Sequence, residues 1–130
     1  MSTSRDIECP FCECLGSNRV VVEYGSVFAI RDKYPVSEGH HLVISMRHVA
    51  DYFAMSYNEK RDVEALLSLL KRQILEDDPS VEGFNVGMNC GVVAGQTVMH
   101  AHIHLIPRRA GDVEDPRGGV RGCVPGKMGY

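Results

Sequence analysis

Residues 97–106 run Thr97-Val98-Met99-His100-Ala101-His102-Ile103-His104-Leu105-Ile106. The alternation of imidazole and apolar side chains has the period of an extended strand. It predicts a strand over 97–106 with His100, His102 and His104 on one face and Ala101, Ile103 and Leu105 on the other. Neighbouring rings on that face would stand about 6 to 7 Å apart. Apolar packing has no use for such a row, because each neutral ring carries a donor and an acceptor that must be paired and adjacent protonated rings repel. The pattern therefore points to chemistry, either metal ligation by several rings or nucleophilic and proton-transfer work by one ring with its neighbours as relays. Two alternate rings can reach one ion, but a third on the same line is harder to bend onto a tetrahedral site, so a mixed ligand set fits better. Cys9-Pro10-Phe11-Cys12 supplies a C-x-x-C pair suited to zinc. The same spacing serves thiol redox centres, yet no thioredoxin-like βαβ pattern surrounds it.

Moving outward, Arg19 to Asp32 reads as a hairpin, with Val20, Val21, Val22 and Val27, Phe28, Ile30 flanking Tyr24-Gly25-Ser26. His40 to Ser45 follows as a short apolar strand, Phe84 to Asn89 as a fourth, and 97–106 as the fifth. Ser56-x-x-Glu59 is a capping box that opens a long helix, whose apolar face is Val63, Leu66, Leu67, Leu70 and Ile74 and which Asp78-Pro79 ends. A shorter amphipathic helix is expected over His48 to Met55. Hairpin strands with one long helix between the third and fourth imply an α+β fold, an antiparallel five-stranded sheet backed by helix. From Pro107 to Tyr130 the composition turns to Gly and Pro with interspersed Arg and Lys, which predicts a tail without regular structure.

The chain has 130 residues, 44% hydrophobic and 24% charged, the make-up of one globular domain over 1–130 and not of a disordered or coiled-coil chain. The net charge of −3 gives no global basic field for nucleic acid, so any phosphate recognition is local. No apolar run is long enough to cross a membrane, and Met1 to Glu8 is too polar for a signal peptide. Five unevenly spaced cysteines do not form a secreted disulfide framework, so the chain reads as cytoplasmic.

His100 to Ile106 fits every position of H-φ-H-φ-H-φ-φ, with φ apolar, and on it the chain resembles the histidine triad family. The likeness extends from Cys9-Pro10-Phe11-Cys12 through Gly39-His40-His41-Leu42-Val43-Ile44 to Ala94-Gly95-Gln96-Thr97-Val98. It implies nucleotidyl transfer or hydrolysis at an α-phosphate, with His102 as nucleophile and His104 contacting the phosphate or leaving group. It further implies Asn89, Gln96 and Thr97 as phosphate-side residues and Asp32 as a ribose ligand. Similarity to the zinc-containing members implies a structural zinc on Cys9, Cys12, His48 and His100, with Cys14 as an alternative ligand. A two-fold homodimer is also implied. The tail resembles those of members acting on dinucleoside polyphosphates, and its arginines would either meet distal phosphates or form a solvated arm packed on a partner. A nucleoside 5′-phosphoramidate hydrolase, a non-catalytic nucleotide-binding module and a metallohydrolase are the alternatives. His40 and His41 read as strand-edge residues and Cys90 and Cys123 as plain small side chains.

Overall fold

A computed structural model describes residues 9–130, so the reading of Met1 to Glu8 lies outside the described residues. Five strands, β1 (Val20–Tyr24), β2 (Val27–Arg31), β3 (His41–Ser45), β4 (Val81–Gly87) and β5 (His102–Arg109), form one sheet in the order β1-β2-β3-β5-β4, every pair antiparallel. A short helix α1 (Pro10–Cys14) and a long helix α2 (Tyr57–Asp77) complete the regular elements, with three brief 3-10 turns. The expected α+β architecture is present. Among the described residues no helix is long and apolar enough to cross a membrane.

Period-two alternation sorts the sheet into two apolar faces. Val27, Ala29, Val43, Ala101, Ile103 and Leu105 turn toward Val63, Leu66 and Leu70 of α2. Phe28, Ile30, Leu42 and Ile44 turn the other way and pack with Cys14, Phe11 and Leu15 of the α1 region. Leu42 pairs with His104 and Ile44 with His102, so both imidazoles share the face that α1 covers.

Two glycines fix the turns that deliver the site. Gly25 has φ +55 in the two-residue β1–β2 turn, where a Cβ would collide with the Asp62 carboxylate that holds the Ser26 N–H and hydroxyl at 2.9 and 2.7 Å. Gly39 has φ +92 just before His40, and a Cβ there would come within 3.1 Å of the Pro107 ring.

The capping box forms as expected. Ser56 Oγ accepts from the Glu59 N–H at 3.1 Å, and the Ser56 N–H donates to Glu59 Oε1 at 2.7 Å. Glu59 also receives Arg47 at 2.8 and 3.2 Å, which ties the start of α2 to the residue preceding His48. Burial pushes the Glu59 carboxyl up, but the Arg47 and Ser56 bonds outweigh it and hold the group below its ordinary value. Its contribution is thus complete above the unfolded carboxylate range and disappears as pH falls through the folded value. Glu59→Ala is expected to destabilise the fold by about 2 kcal/mol near pH 7, with Glu59→Gln costing less because it retains an acceptor. Urea unfolding should show both differences shrinking below about pH 4.

Four boundaries depart from expectation. The helix expected over His48 to Met55 is only a 3-10 turn, Tyr52–Ala54, because Asp51 Oδ1 accepts from the Phe53 and Ala54 N–H groups and the Val49 carbonyl accepts from the Ala101 N–H at 2.8 Å. The fourth strand begins earlier and stops at Gly87. The fifth begins at His102, not Thr97, because Ala101 bonds to Val49 rather than continuing a regular ladder, and it runs on to Arg109 through Pro107. Pairing with β3 ends at Leu105, so no ladder N–H is missing on that side of Pro107, and its carbonyl accepts the Ser37 hydroxyl at 2.7 Å. The segment expected to lack regular structure therefore contains the end of β5 and a 3-10 turn at Gly119–Cys123.

Candidate active site and metal centre

His100 sits two residues ahead of β5, and its ring is fully buried. Its Nε2–H donates to the Ser45 carbonyl at 2.6 Å, which leaves Nδ1 as a lone pair directed at Cys9 Sγ, 3.3 Å away, and Cys12 Sγ, 3.4 Å away. His48 Nδ1 lies 3.1 Å from Cys12 Sγ, and all four donor atoms fall within 4.8 Å of one another. A tetrahedral ion bonded at about 2.0 to 2.3 Å holds its ligand atoms about 3.3 to 3.8 Å apart, so this spacing suits a closed Cys2His2 set. The carbonyl behind His100 is the kind of outer partner that fixes a ligating tautomer. Burial pushes the Cys9 thiol up, so a metal would have to displace its proton. Cys14 stands apart: it packs among Phe28, Ile30, Leu42 and Ile44, and its sulfur accepts from Arg19 at 3.4 Å.

The carbonyl of His100 accepts the Nδ1–H of His102 at 2.7 Å. With that proton fixed, His102 Nε2 carries the free lone pair. The ring is 8% exposed, and Phe11 of α1 meets it edge-on with centroids 4.7 Å apart. Burial lowers the His102 pKa more than the His100 carbonyl and Asp32 raise it, which keeps the ring neutral near pH 7.

His104 stands next to it, with ring centroids 5.4 Å apart. Its Nδ1 lies 2.9 Å from His40 Nε2, which in turn lies 3.2 Å from Asp32 Oδ2. His40 Nδ1 accepts the Val36 N–H at 3.1 Å, so the proton of the neutral ring is on Nε2 and is directed at His104 and Asp32. His104 Nδ1 is then an acceptor, and its own proton is on Nε2. Burial lowers both rings, with Asp32 opposing. Asp32, His40 and His104 are close enough together to hold a cation, but binding one through His40 Nε2 would require removing the proton that the Val36 contact places there. The geometry is that of a shared proton.

The loop between β4 and β5 brings in the remaining candidates. Asn89 lies beside Gly95, whose Cβ would fall 3.8 Å from the amide nitrogen, and Thr97 is exposed. Gln96 differs from expectation. Its side chain bonds the carbonyls of Ala50 and Val98 and the N–H of Gly91, and its own N–H bonds the Gly91 carbonyl. It braces the loop and has no group left over for phosphate.

Two neighbours of the triad were not anticipated. His40, read as a strand-edge residue, is 3% exposed and joins His104 to Asp32. Its parity with Leu42 and Ile44 would have placed it on the imidazole face once β3 was paired with β5. Phe11 was visible only as the spacer of the cysteine pair.

A model of the HIT domain matches residues 16–111. The chain belongs to the HIT family. A HIT-like protein of Mycoplasma genitalium is 32% identical over 114 residues, which cover 83% of this HIT protein and 78% of the relative. An AP-4-A phosphorylase of Mycobacterium tuberculosis is 32% identical over 94 residues, 72% of this chain but 48% of that enzyme. An adenosine 5′-monophosphoramidase of Candida albicans is 29% identical over 107 residues, covering 78% and 70%. Among solved structures, a zinc-bound histidine triad protein of Mycobacterium smegmatis superposes with a TM-score of 0.74 at 30% identity, covering 82% of this chain and 78% of that one.

Proposed function

We propose that this HIT protein is a nucleotide hydrolase or transferase that cuts dinucleoside polyphosphates next to the α-phosphate through a covalent intermediate on His102. The observation that carries the reading is the Nδ1–H of His102 fixed on the His100 carbonyl, which frees Nε2 for attack beside the Nε2–H of His104. In the first displacement a bond forms between His102 Nε2 and the α-phosphorus as the bond to the bridging oxygen breaks. The leaving polyphosphate takes the electron pair and accepts a hydrogen bond from His104. Water or another acceptor then attacks phosphorus, the N–P bond breaks, and for water the nucleoside monophosphate departs and a proton passes to solvent. Asn89 and Thr97 would hold phosphate oxygens and Asp32 the ribose. Cys9, Cys12, His48 and His100 would hold a zinc ion, which as a closed site would pin α1 to the sheet and leave the chemistry to His102.

Polyphosphate is preferred over phosphoramidate on the state of His104. A polyphosphate leaves as an anion, whereas an amine leaving group needs a full proton, and burial keeps His104 neutral. Purified protein should turn over diadenosine tetraphosphate faster than adenosine 5′-phosphoramidate at pH 7, and the phosphoramidate should gain relative to it as pH falls. Equal or reversed preference at neutral pH would transfer the assignment to the phosphoramidase reading.

A further inference from the structure

Asp32 and His40 close one loop from its two ends. The Asp32 N–H donates to the His40 carbonyl at 2.9 Å, and Asp32 Oδ1 accepts the Tyr34 N–H at 2.9 Å. One carboxylate oxygen is thus committed to the loop, while Oδ2 lies 3.2 Å from His40 Nε2 and 3.9 Å from His104 Nδ1. The buried His40 ring cannot turn over without losing the Val36 N–H that its Nδ1 accepts. Its single N–H therefore has two competing acceptors, His104 Nδ1 at 2.9 Å and Asp32 Oδ2 at 3.2 Å.

That competition decides the tautomer of His104. While the His40 proton lies on His104 Nδ1, the remaining proton of the neutral ring is on Nε2, where a leaving oxygen can accept it. Without the His40 N–H, the Asp32 carboxylate would draw the His104 proton to Nδ1 and leave a bare lone pair facing the leaving group, the wrong tautomer for the step. A sugar hydroxyl that donates to Asp32 Oδ2 offsets the charge there, and the His40 N–H then turns fully to His104. Building on the proposed roles of Asp32 at the ribose and His104 at the leaving group, we infer that His40 is a positioning residue that couples the two. The sugar hydroxyls of a ribonucleotide substrate are then expressed in kcat as well as in KM.

Two substitutions separate this role from support of the loop. In His40→Asn the amide oxygen can replace Nδ1 at the Val36 N–H, but no donor reaches His104. In His40→Gln the longer amide brings a donor near the place of Nε2 and gives up the Val36 contact. On diadenosine tetraphosphate His40→Gln should therefore exceed His40→Asn in kcat by about tenfold. Ring-nitrogen NMR spectra of the free protein should find the His104 proton on Nε2 in the unaltered chain and in His40→Gln, and on Nδ1 in His40→Asn. The unaltered protein should also lose about tenfold in kcat on the analogue with 2′,3′-dideoxyribose at both ends, whereas His40→Asn should give both substrates the same kcat. A higher kcat for His40→Asn than for His40→Gln, a His104 proton on Nδ1 in the unaltered chain, or a sugar effect confined to KM would overturn the inference. Failure of the transfer reaction itself would show separately, as a lack of nucleotidyl label on His102.

Discussion

His102→Ala is expected to lower turnover of diadenosine tetraphosphate by on the order of 10³-fold or more while the fold persists, because it removes the proposed nucleophile. The ring is held by one backbone acceptor and meets Phe11 and His104 edge-on, so its loss leaves a small cavity beside those two rings and no unpaired buried charge. His104→Gln provides the contrast. Glutamine keeps an N–H for the leaving oxygen, so the loss should be smaller, about 10- to 100-fold, and should fall on kcat more than on KM. Brief reaction with labelled substrate followed by quenching should recover one nucleotidyl group per chain of the unaltered protein, and none on His102→Ala. Wild-type turnover by His102→Ala would refute the covalent route, and an absence of label across several nucleotides would favour a protein that binds nucleotides without cleaving them.

The features that proved legible in the residues are those with strong local signals. Apolar runs on either side of Tyr24-Gly25-Ser26 identified the hairpin, a short apolar run the third strand and alternation the imidazole face, and the capping box located the start of α2 to the residue. Boundaries failed where tertiary bonds overrode the pattern. Val98 and Met99 have strand composition, yet the chain bends until Ala101 has bonded to Val49, and only then does β5 begin. His40 was passed over because its significance depends on pairing with a strand 64 residues away, which no local pattern contains. Gln96 illustrates the opposite error. The family resemblance implied a phosphate ligand at this position, but burial at 3% exposure obliges the side chain to satisfy backbone groups first. Pro107 suggested the start of the tail, and only the register of β3 against β5 reveals that its missing N–H leaves no ladder position empty.

The second large effect concerns the cysteine pair. Purified without chelator, the chain should carry about one equivalent of zinc, and stripping it should lower the melting temperature by about 10 °C or more, since a closed thiolate and imidazole site contributes several kcal/mol to a domain of this size. The reason lies in what α1 joins. It is a helix of five residues, too short to persist alone, and its Phe11 and Cys14 cover the face on which Phe28, Ile30, Leu42 and Ile44 lie. Without an ion, two buried thiols and two imidazoles must hold α1 through weak sulfur contacts at 3.1 to 3.4 Å. Cys12→Ser should reproduce the loss, whereas Cys14→Ser, outside the cluster, should not change zinc content although it disturbs the core. Because the same helix puts Phe11 against His102, loss of the ion should also broaden the His102 ring signals in NMR spectra, a readout independent of turnover. A zinc-free protein that melts at the same temperature as the metal-treated one would show that packing alone holds α1 in place.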